Sequence, residues 1–336
     1  MKEKVVFDTN KMRNTDINNF LGNRVDLEKF TLVADIVIPE AVIQETIRQK
    51  RTKLKSNQDK FVVNPFHQLV GLKEENTKSF KIDEYIDNLR ATETIPFEVI
   101  DLKDFQVLEE IKDLAYKKLA PFEGGDNTDK GFKDAIIYFS VLEHLQEIPN
   151  KKIFVCTDDI RLAEAFNRHH NIVVIKTFDE FKQESISQFT DDYFLEKLNN
   201  ELTPDVSETN IKEFWYGIND NKILLVNVDD EDYVVEIDSG EISSTKLRSK
   251  YAGNITRLIN SNSFRNTHSR IAEISSFINY FSDEEIEAIL NASIENEEIR
   301  RIMDDTDVKE FIGELFDAKK ELLSKENRSQ LSELLE

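Results

Sequence analysis

Four short stretches of this 336-residue chain put a carboxylate where it could do chemistry. Lys4-Val5-Val6-Phe7 is an apolar run that ends in Asp8-Thr9-Asn10, the pattern of a buried strand delivering an acid to the edge of a sheet. Ile153-Phe154-Val155-Cys156 ends the same way, in Thr157-Asp158-Asp159. Glu45 lies about two turns into a helix expected to start near Glu40, just after the short strand Ile36-Val37-Ile38-Pro39. Asp134 shares a helical face with Ile137, Tyr138, Val141 and Leu142, where a carboxylate is costly unless a cation, a donor or a metal satisfies it.

Singly, most of these acids have bland explanations. Asp8 could bond its own turn backbone, Glu45 could be a solvated helix residue, and Thr157-Asp158-Asp159 suits an N-cap favoured by the helix dipole. Together they gather at the carboxyl ends of strands, where open α/β sheets form their ligand crevice. Carboxylates converging there repel one another and raise each other's pKa unless a divalent ion sits between them. Thiolates and imidazoles are scarce: Cys156 is the one cysteine, and His67, His144, His169, His170 and His268 show no ligand spacing. An oxygen-only pocket suits Mg²⁺ or Mn²⁺.

The elements that must position these acids alternate between strand and helix. Thr15 or Asp16 is expected to cap a helix carrying Ile17, Phe20, Leu21, Leu27, Phe30 and Leu32, with a break at Gly22-Asn23. The Glu40 helix is expected to run into Lys55. Residues 57–96 read as an insertion containing a helical piece, Ile82 to Leu89. Phe97 to Ile100 reads as a strand, Phe105 to Leu119 and Gly131 to Gln146 as helices, Ile160 to Asn167 as a helix, and Ile172 to Ile175 as the last strand. This predicts a three-layer α/β/α domain with a central parallel sheet over residues 1–185. A polar stretch near 199–209 is expected to separate it from a smaller α+β domain over 205–336. There, Glu213 to Gly217, Ile223 to Val228 and Tyr233 to Ile237 read as antiparallel strands, and Asp307 to Leu323 as the clearest of several acidic helices.

The strand ending in Asp8-Thr9-Asn10, the helical Pro39-Glu40-Ala41-Val42-Ile43-Gln44-Glu45, the segment Lys130-Gly131-Phe132-Lys133-Asp134-Ala135-Ile136-Ile137 and the strand ending in Thr157-Asp158-Asp159 occur in the order seen in PIN-domain nucleases, and residues 1–185 resemble that family. The resemblance is to its larger, multidomain bacterial type. It implies Asp8, Glu45 and Asp134 as metal ligands, direct or through water, with Asp159 at the last acidic position and Asp158 as the neighbour that could substitute. Thr9 and Thr157 match small hydroxyl positions that orient such sites. The implied activity is Mg²⁺- or Mn²⁺-dependent hydrolysis of phosphodiester bonds by an endoribonuclease, leaving a 5′-phosphate and a 3′-hydroxyl.

Charge bears on the partner. The net charge of −22 argues at first against nucleic acid, but residues 1–180 carry 27 Lys+Arg against 32 Asp+Glu, and the remainder 17 against 34. The acidity belongs mostly to the second half, which reads as a regulatory, partner-binding or oligomerising domain. Arg48, Lys50, Arg51, Lys53 and Lys55 continue the Glu45 helix, and Lys130 and Lys133 flank Asp134; Arg48, Arg51, Lys130 and Lys133 are the candidate phosphate contacts. No apolar run reaches the ~18 residues of a membrane span, and a cytoplasmic location is expected. Such an appended nuclease would suit a bacterial toxin or phage-defence effector.

Competing readings are a catalytically weak PIN-like module that binds RNA or serves as a scaffold, and a nuclease acting on DNA. An aspartyl-nucleophile phosphatase is disfavoured because Asn10 stands where its general acid belongs. Gly124-Gly125 lacks the Gly-Lys-Ser/Thr ending of a phosphate loop, and no motif supports a Ser/His/Asp hydrolase.

Overall fold

The fold is described from a computed structural model over residues 2–12, 17–64, 69–124, 130–148, 152–202 and 206–336. Thr15 and Asp16 of the expected first cap, His67, and Gly125 to Asp129 of the loop before Asp134 lie outside the described residues. The chain divides into two compact units, Met1–Glu184 and Ser185–Glu336.

The first unit is built on five parallel strands: β1 (Glu3–Phe7), β2 (Ala34–Pro39), β3 (Glu98–Ile100), β4 (Ile153–Cys156) and β5 (Ile172–Ile175). Their order is β3-β2-β1-β4-β5. From β1 the chain moves out to β2 and β3, then crosses back to β4 and β5, so the order reverses between β1 and β4. In open α/β sheets the ligand crevice lies outside the carboxyl ends at such a reversal. The register sets Phe7 beside Cys156, so the residues that follow, Asp8 and Thr157, leave the sheet side by side.

Central position explains the unbroken apolar runs. Val5, Val6 and Phe7 are all buried because β1 has neighbours on both edges and layers on both faces; each such side chain contributes roughly 1.5–3 kcal/mol. On one face, Phe7 meets Phe30 edge to face at 5.0 Å, Phe30 meets Phe178 at 5.0 Å, and Phe154 meets Phe181 at 4.9 Å. That cluster seats α1 (Arg24–Val33) against the sheet.

Two elements depart from the expected pattern. The chain bends through residues 17–22, and α1 starts only after Asn23, whose φ of 50° is left-handed. The Gly22-Asn23 break therefore precedes the helix, Phe20 and Leu21 reach the core from the bend, and Leu32 faces out. The Glu45 helix, α2, runs Glu40–Val63, eight residues past Lys55 and into the expected insertion. After α3 (Glu74–Lys78), α4 (Ile82–Ala91) packs back on α2, burying Ile86 and Leu89, and Arg51 pairs with Asp83 at 2.7 Å. The insertion thus braces the helix that carries Glu45.

On the carboxyl side of β3 come a 3₁₀ turn and α5 (Leu108–Tyr116), then α6 (Phe132–Glu147), α7 (Ile160–Phe166) and α8 (Phe178–Glu184). Helix α6 buries Ala135, Ile137 to Val141, His144 and Leu145, nearly its whole circumference. A buried helix of this kind holds its first turn, with Lys133 and Asp134, in a fixed place.

In the second unit, α9 (Asp192–Glu201) precedes an antiparallel meander of β6 (Ile211–Tyr216), β7 (Lys222–Val228), β8 (Glu231–Asp238) and β9 (Glu241–Leu247). Alternate residues serve two cores: Leu224, Val226, Val235 and Ile237 pack with Phe189, Phe194 and Leu198, while Ile223, Leu225 and Val234 pack with Tyr251 and the helices that follow. Residues 186–198, ahead of the polar stretch at 199–209, therefore belong with this sheet. Asp229 and Asp230 both have positive φ, giving the mirror-image two-residue turn that hairpins favour. Strand β9 was not foreseen; it is an edge strand whose Ser and Thr residues lack an apolar alternation. The unit ends in six helices, the longest being α10 (Ala252–Ile259), α11 (Phe264–Ile274), α12 (Asp283–Glu295), α14 (Thr306–Lys319) and α15 (Lys325–Leu335), with α13 (Glu297–Arg300) between α12 and α14. Among the described residues no helix is long and apolar enough to cross a membrane.

Candidate active site

Asp8 is only 4 % exposed. Its backbone N–H continues the ladder to the Cys156 carbonyl at 3.1 Å. One carboxylate oxygen accepts from the Thr9 N–H at 2.6 Å; the other accepts from the Asn10 amide at 2.8 Å and from the Thr157 hydroxyl at 2.9 Å. Burial pushes the Asp8 carboxyl above the usual range, against the pull of the Thr157 and Thr9 hydrogen bonds and the Lys133 charge, and the Asp159 charge adds to the rise. The side chain is fixed by donors but surrounded by too little water.

Thr157 ties the two strand ends together. While its hydroxyl donates to Asp8, its oxygen accepts from the Asp159 N–H at 3.0 Å. Asn10 completes the link by accepting from the Asp158 N–H at 3.2 Å. Asp159 then caps α7, accepting from the Leu162 N–H at 2.9 Å. Asp158 points elsewhere: its side chain is 55 % exposed and pairs with Lys11 at 2.5 Å.

Glu45 projects from α2 and is held on both oxygens. One accepts from Arg48 and from Gln49 at 2.8 Å each, and the other faces the Lys133 ammonium at 3.6 Å. Burial pushes its carboxyl up, but the hydrogen bonds from Gln49 and Arg48 and the charges of Lys133 and Arg48 outweigh that and hold it below the usual range.

Asp134, in the first turn of α6, is the least comfortable of the four. Burial is the main cause of a pKa raised to about 6; the Lys133 charge opposes it, and the charges of Asp8, Asp159 and Glu45 each push it further up. Such mutual repulsion acts only over short range in a partly buried site. Asp8, Glu45, Asp134 and Asp159 therefore share one crevice, at the β1/β4 reversal.

Not every expected contact joins them. Lys130 pairs with Glu123 at 3.6 Å and Arg51 with Asp83, away from the acids. Lys50 turns inward, 6 % exposed, and donates to the Asn19 carbonyl at 2.6 Å. The expected continuous basic track along α2 is thus interrupted, and among the described residues Lys133 and Arg48 both stand beside Glu45. Sequence reasoning undervalued Asn10 and Gln49, which fix Asp8 and Glu45. The turn-forming Asp-Thr-Asn was a usable signal for the first; the i, i+4 spacing of Glu45 and Gln49 was the signal for the second.

The donor set fits a hard divalent cation. All its ligating atoms are oxygens, burial foremost holds both Asp8 and Asp134 above their usual range, and the Thr9 hydroxyl beside Asp8 is buried with no partner among the described residues. Among the described residues no three acidic, imidazole or thiolate groups stand close enough to form a complete shell. Three of the four carboxylates, Asp8, Glu45 and Asp159, accept from protein donors instead.

A family model described as PIN domain matches residues 5–162. The first unit is a PIN domain. The match begins inside β1 and ends inside α7, so it spans all four acids of the crevice. PIN domains are in general metal-dependent nucleases that act on nucleic acids, with divalent ions such as Mg²⁺ or Mn²⁺. No curated protein and no solved structure matches the chain.

Proposed function

We propose that this PIN domain is a Mg²⁺- or Mn²⁺-dependent endoribonuclease whose ion is held by Asp8 and Asp134, with Glu45 and Asp159 binding directly or through water. The observation that carries this reading is the electrostatic one: four acids share a crevice, and Asp134 is lifted to about 6 by burial and its three neighbours. Buried acids that act on one another's charge in this way are suited to a bound divalent cation. When bound, such an ion acts as a Lewis acid toward the scissile phosphate and lowers the pKa of a water.

The chain's own residues do the rest. Thr157 and Asn10 fix the Asp8 carboxylate, and the α7 N-terminus fixes Asp159, so the first acids are ordered before any ligand arrives. Arg48 and Lys133 offer positive charge to the substrate backbone. Hydrolysis joins the water oxygen to phosphorus as the bond to the 3′ oxygen breaks, and a proton passes to that leaving oxygen. A 5′-phosphate and a 3′-hydroxyl result, as the family resemblance implies; the same resemblance favours RNA. Matched RNA and DNA strands, single-stranded and structured, test this with Mg²⁺ or Mn²⁺. Cleavage of RNA to 5′-phosphate ends is expected, whereas cleavage of DNA alone would move the substrate.

The strongly acidic second unit suits a regulatory or partner-binding role in an effector kept off until triggered, such as a bacterial toxin or phage-defence nuclease. Expression of residues 1–184 is then expected to be at least about tenfold more toxic, in surviving colonies, than the full chain. Equal toxicity at equal protein level counts against regulation by this unit.

A further inference from the structure

Lys133 occupies an odd place for a lysine meant only to touch substrate. It follows Gly131 and Phe132 in the first turn of α6, next in sequence to Asp134, and its ammonium faces Glu45 at 3.6 Å. Its charge also acts on Asp8 and Asp134, lowering both. One cation thus bears on three of the four acids. The ion pair is loose: 3.6 Å exceeds hydrogen-bond length, and the side chain is 39 % exposed. Glu45 does not depend on it, because Arg48 and Gln49 from its own helix hold it already.

A divalent ion and an ammonium cannot both neutralise the same carboxylates without repelling each other. The long, flexible lysine stem can swing out, whereas the short acids cannot follow it. We propose that Lys133 is the resident counter-cation of the crevice in the metal-free protein, and that metal binding displaces it toward the substrate phosphate, so that metal and nucleic acid strengthen each other's binding. This rests on the nuclease reading above and adds a coupling to it. By linkage the coupling is reciprocal, and about tenfold is the expected size.

The test is Mn²⁺ affinity at fixed ionic strength, by calorimetry and by electron paramagnetic resonance, with and without a short RNA that is shown to remain intact over the titration. In the wild type the RNA is expected to tighten Mn²⁺ about tenfold. Lys133→Met and Lys133→Gln are expected to bind Mn²⁺ alone about tenfold tighter than the wild type. Both should bind the RNA more weakly and show no coupling, while Lys133→Arg keeps the wild-type pattern. An ordinary phosphate-contacting lysine would leave Mn²⁺ affinity unmoved, and a structural one would weaken it. Either result in the neutral variants overturns the proposal while leaving the nuclease reading intact. A wild type that binds no Mn²⁺ overturns both.

Discussion

Asp134→Asn is expected to remove cleavage by about 10³-fold or more, ~4 kcal/mol of barrier, and yet to make the metal-free protein more stable. The stabilisation follows from linkage. Unfolded, the Asp134 carboxyl titrates near its ordinary value; folded, burial foremost and then the neighbouring acids raise it to about 6. Between those values the folded state binds more protons than the unfolded one, so stability falls as pH rises through the window. Above pH 6 the folded protein bears the full penalty, and below about pH 4 it bears none. The carboxyl is partly solvated, so screening reduces the effect to on the order of 1 kcal/mol. Thermal unfolding in EDTA should therefore show Asp134→Asn melting above the wild type at pH 7.5 and level with it near pH 4. A variant that melts lower at pH 7.5 would mean that the carboxylate is a structural partner. Activity and stability moving in opposite directions is the signature of a functional site maintained at the expense of the fold.

Gly131→Ala is expected to have the largest effect on the fold of any single methyl group in the first unit. Gly131 precedes α6 with φ at 124°, a conformation that L side chains rarely adopt. A Cβ there would lie 2.5 Å from the Phe122 Cα and 3.0 Å from the Pro121 carbonyl oxygen. Both are backbone atoms and cannot rotate aside, so either the 121–122 segment or the start of α6 must shift. Strain and overlap together should cost about 2–4 kcal/mol. The moving part carries Lys133 and Asp134, and a displacement of ~1 Å can lower a rate by ~10²-fold, so activity should fall even at temperatures where the variant stays folded. Gly124→Ala is the matched control, since a Cβ there meets nothing within 4 Å among the described residues, and a change under ~0.5 kcal/mol is expected. Equal melting of the two variants would contradict the close packing of Gly131 on Phe122.

Much of the crevice was legible because strand ends advertise themselves. Apolar runs that stop at Asp8 and at Thr157-Asp158-Asp159 dictate parallel buried strands, and parallel strands put their carboxyl ends on one edge. Asp134 stood out because a lone acid on an apolar helical face needs a reason. The different orientations of Asp158 and Asp159 were not legible: which carboxylate caps α7 and which reaches Lys11 is a matter of backbone direction at one turn.

Long-range placement was harder still. Nothing local tells that Lys50 turns inward to the Asn19 carbonyl while Arg48 stays 70 % exposed on Glu45; only the bend at 17–22 decides that. The bracing of α2 by α4 was likewise hidden, since the insertion's own sequence shows no partner. In the second unit, the fourth strand escaped notice because an edge strand need not be apolar on either face.

The most direct measurement of the central claim is nuclease activity of the purified full chain on RNA in Mg²⁺ and in EDTA, beside Asp8→Asn and Asp134→Asn folded to the same extent. Cleavage that requires the ion and vanishes in both variants is the predicted result. Cleavage that survives EDTA, or survives loss of either carboxylate, would contradict a metal held in the crevice at the ends of β1 and β4.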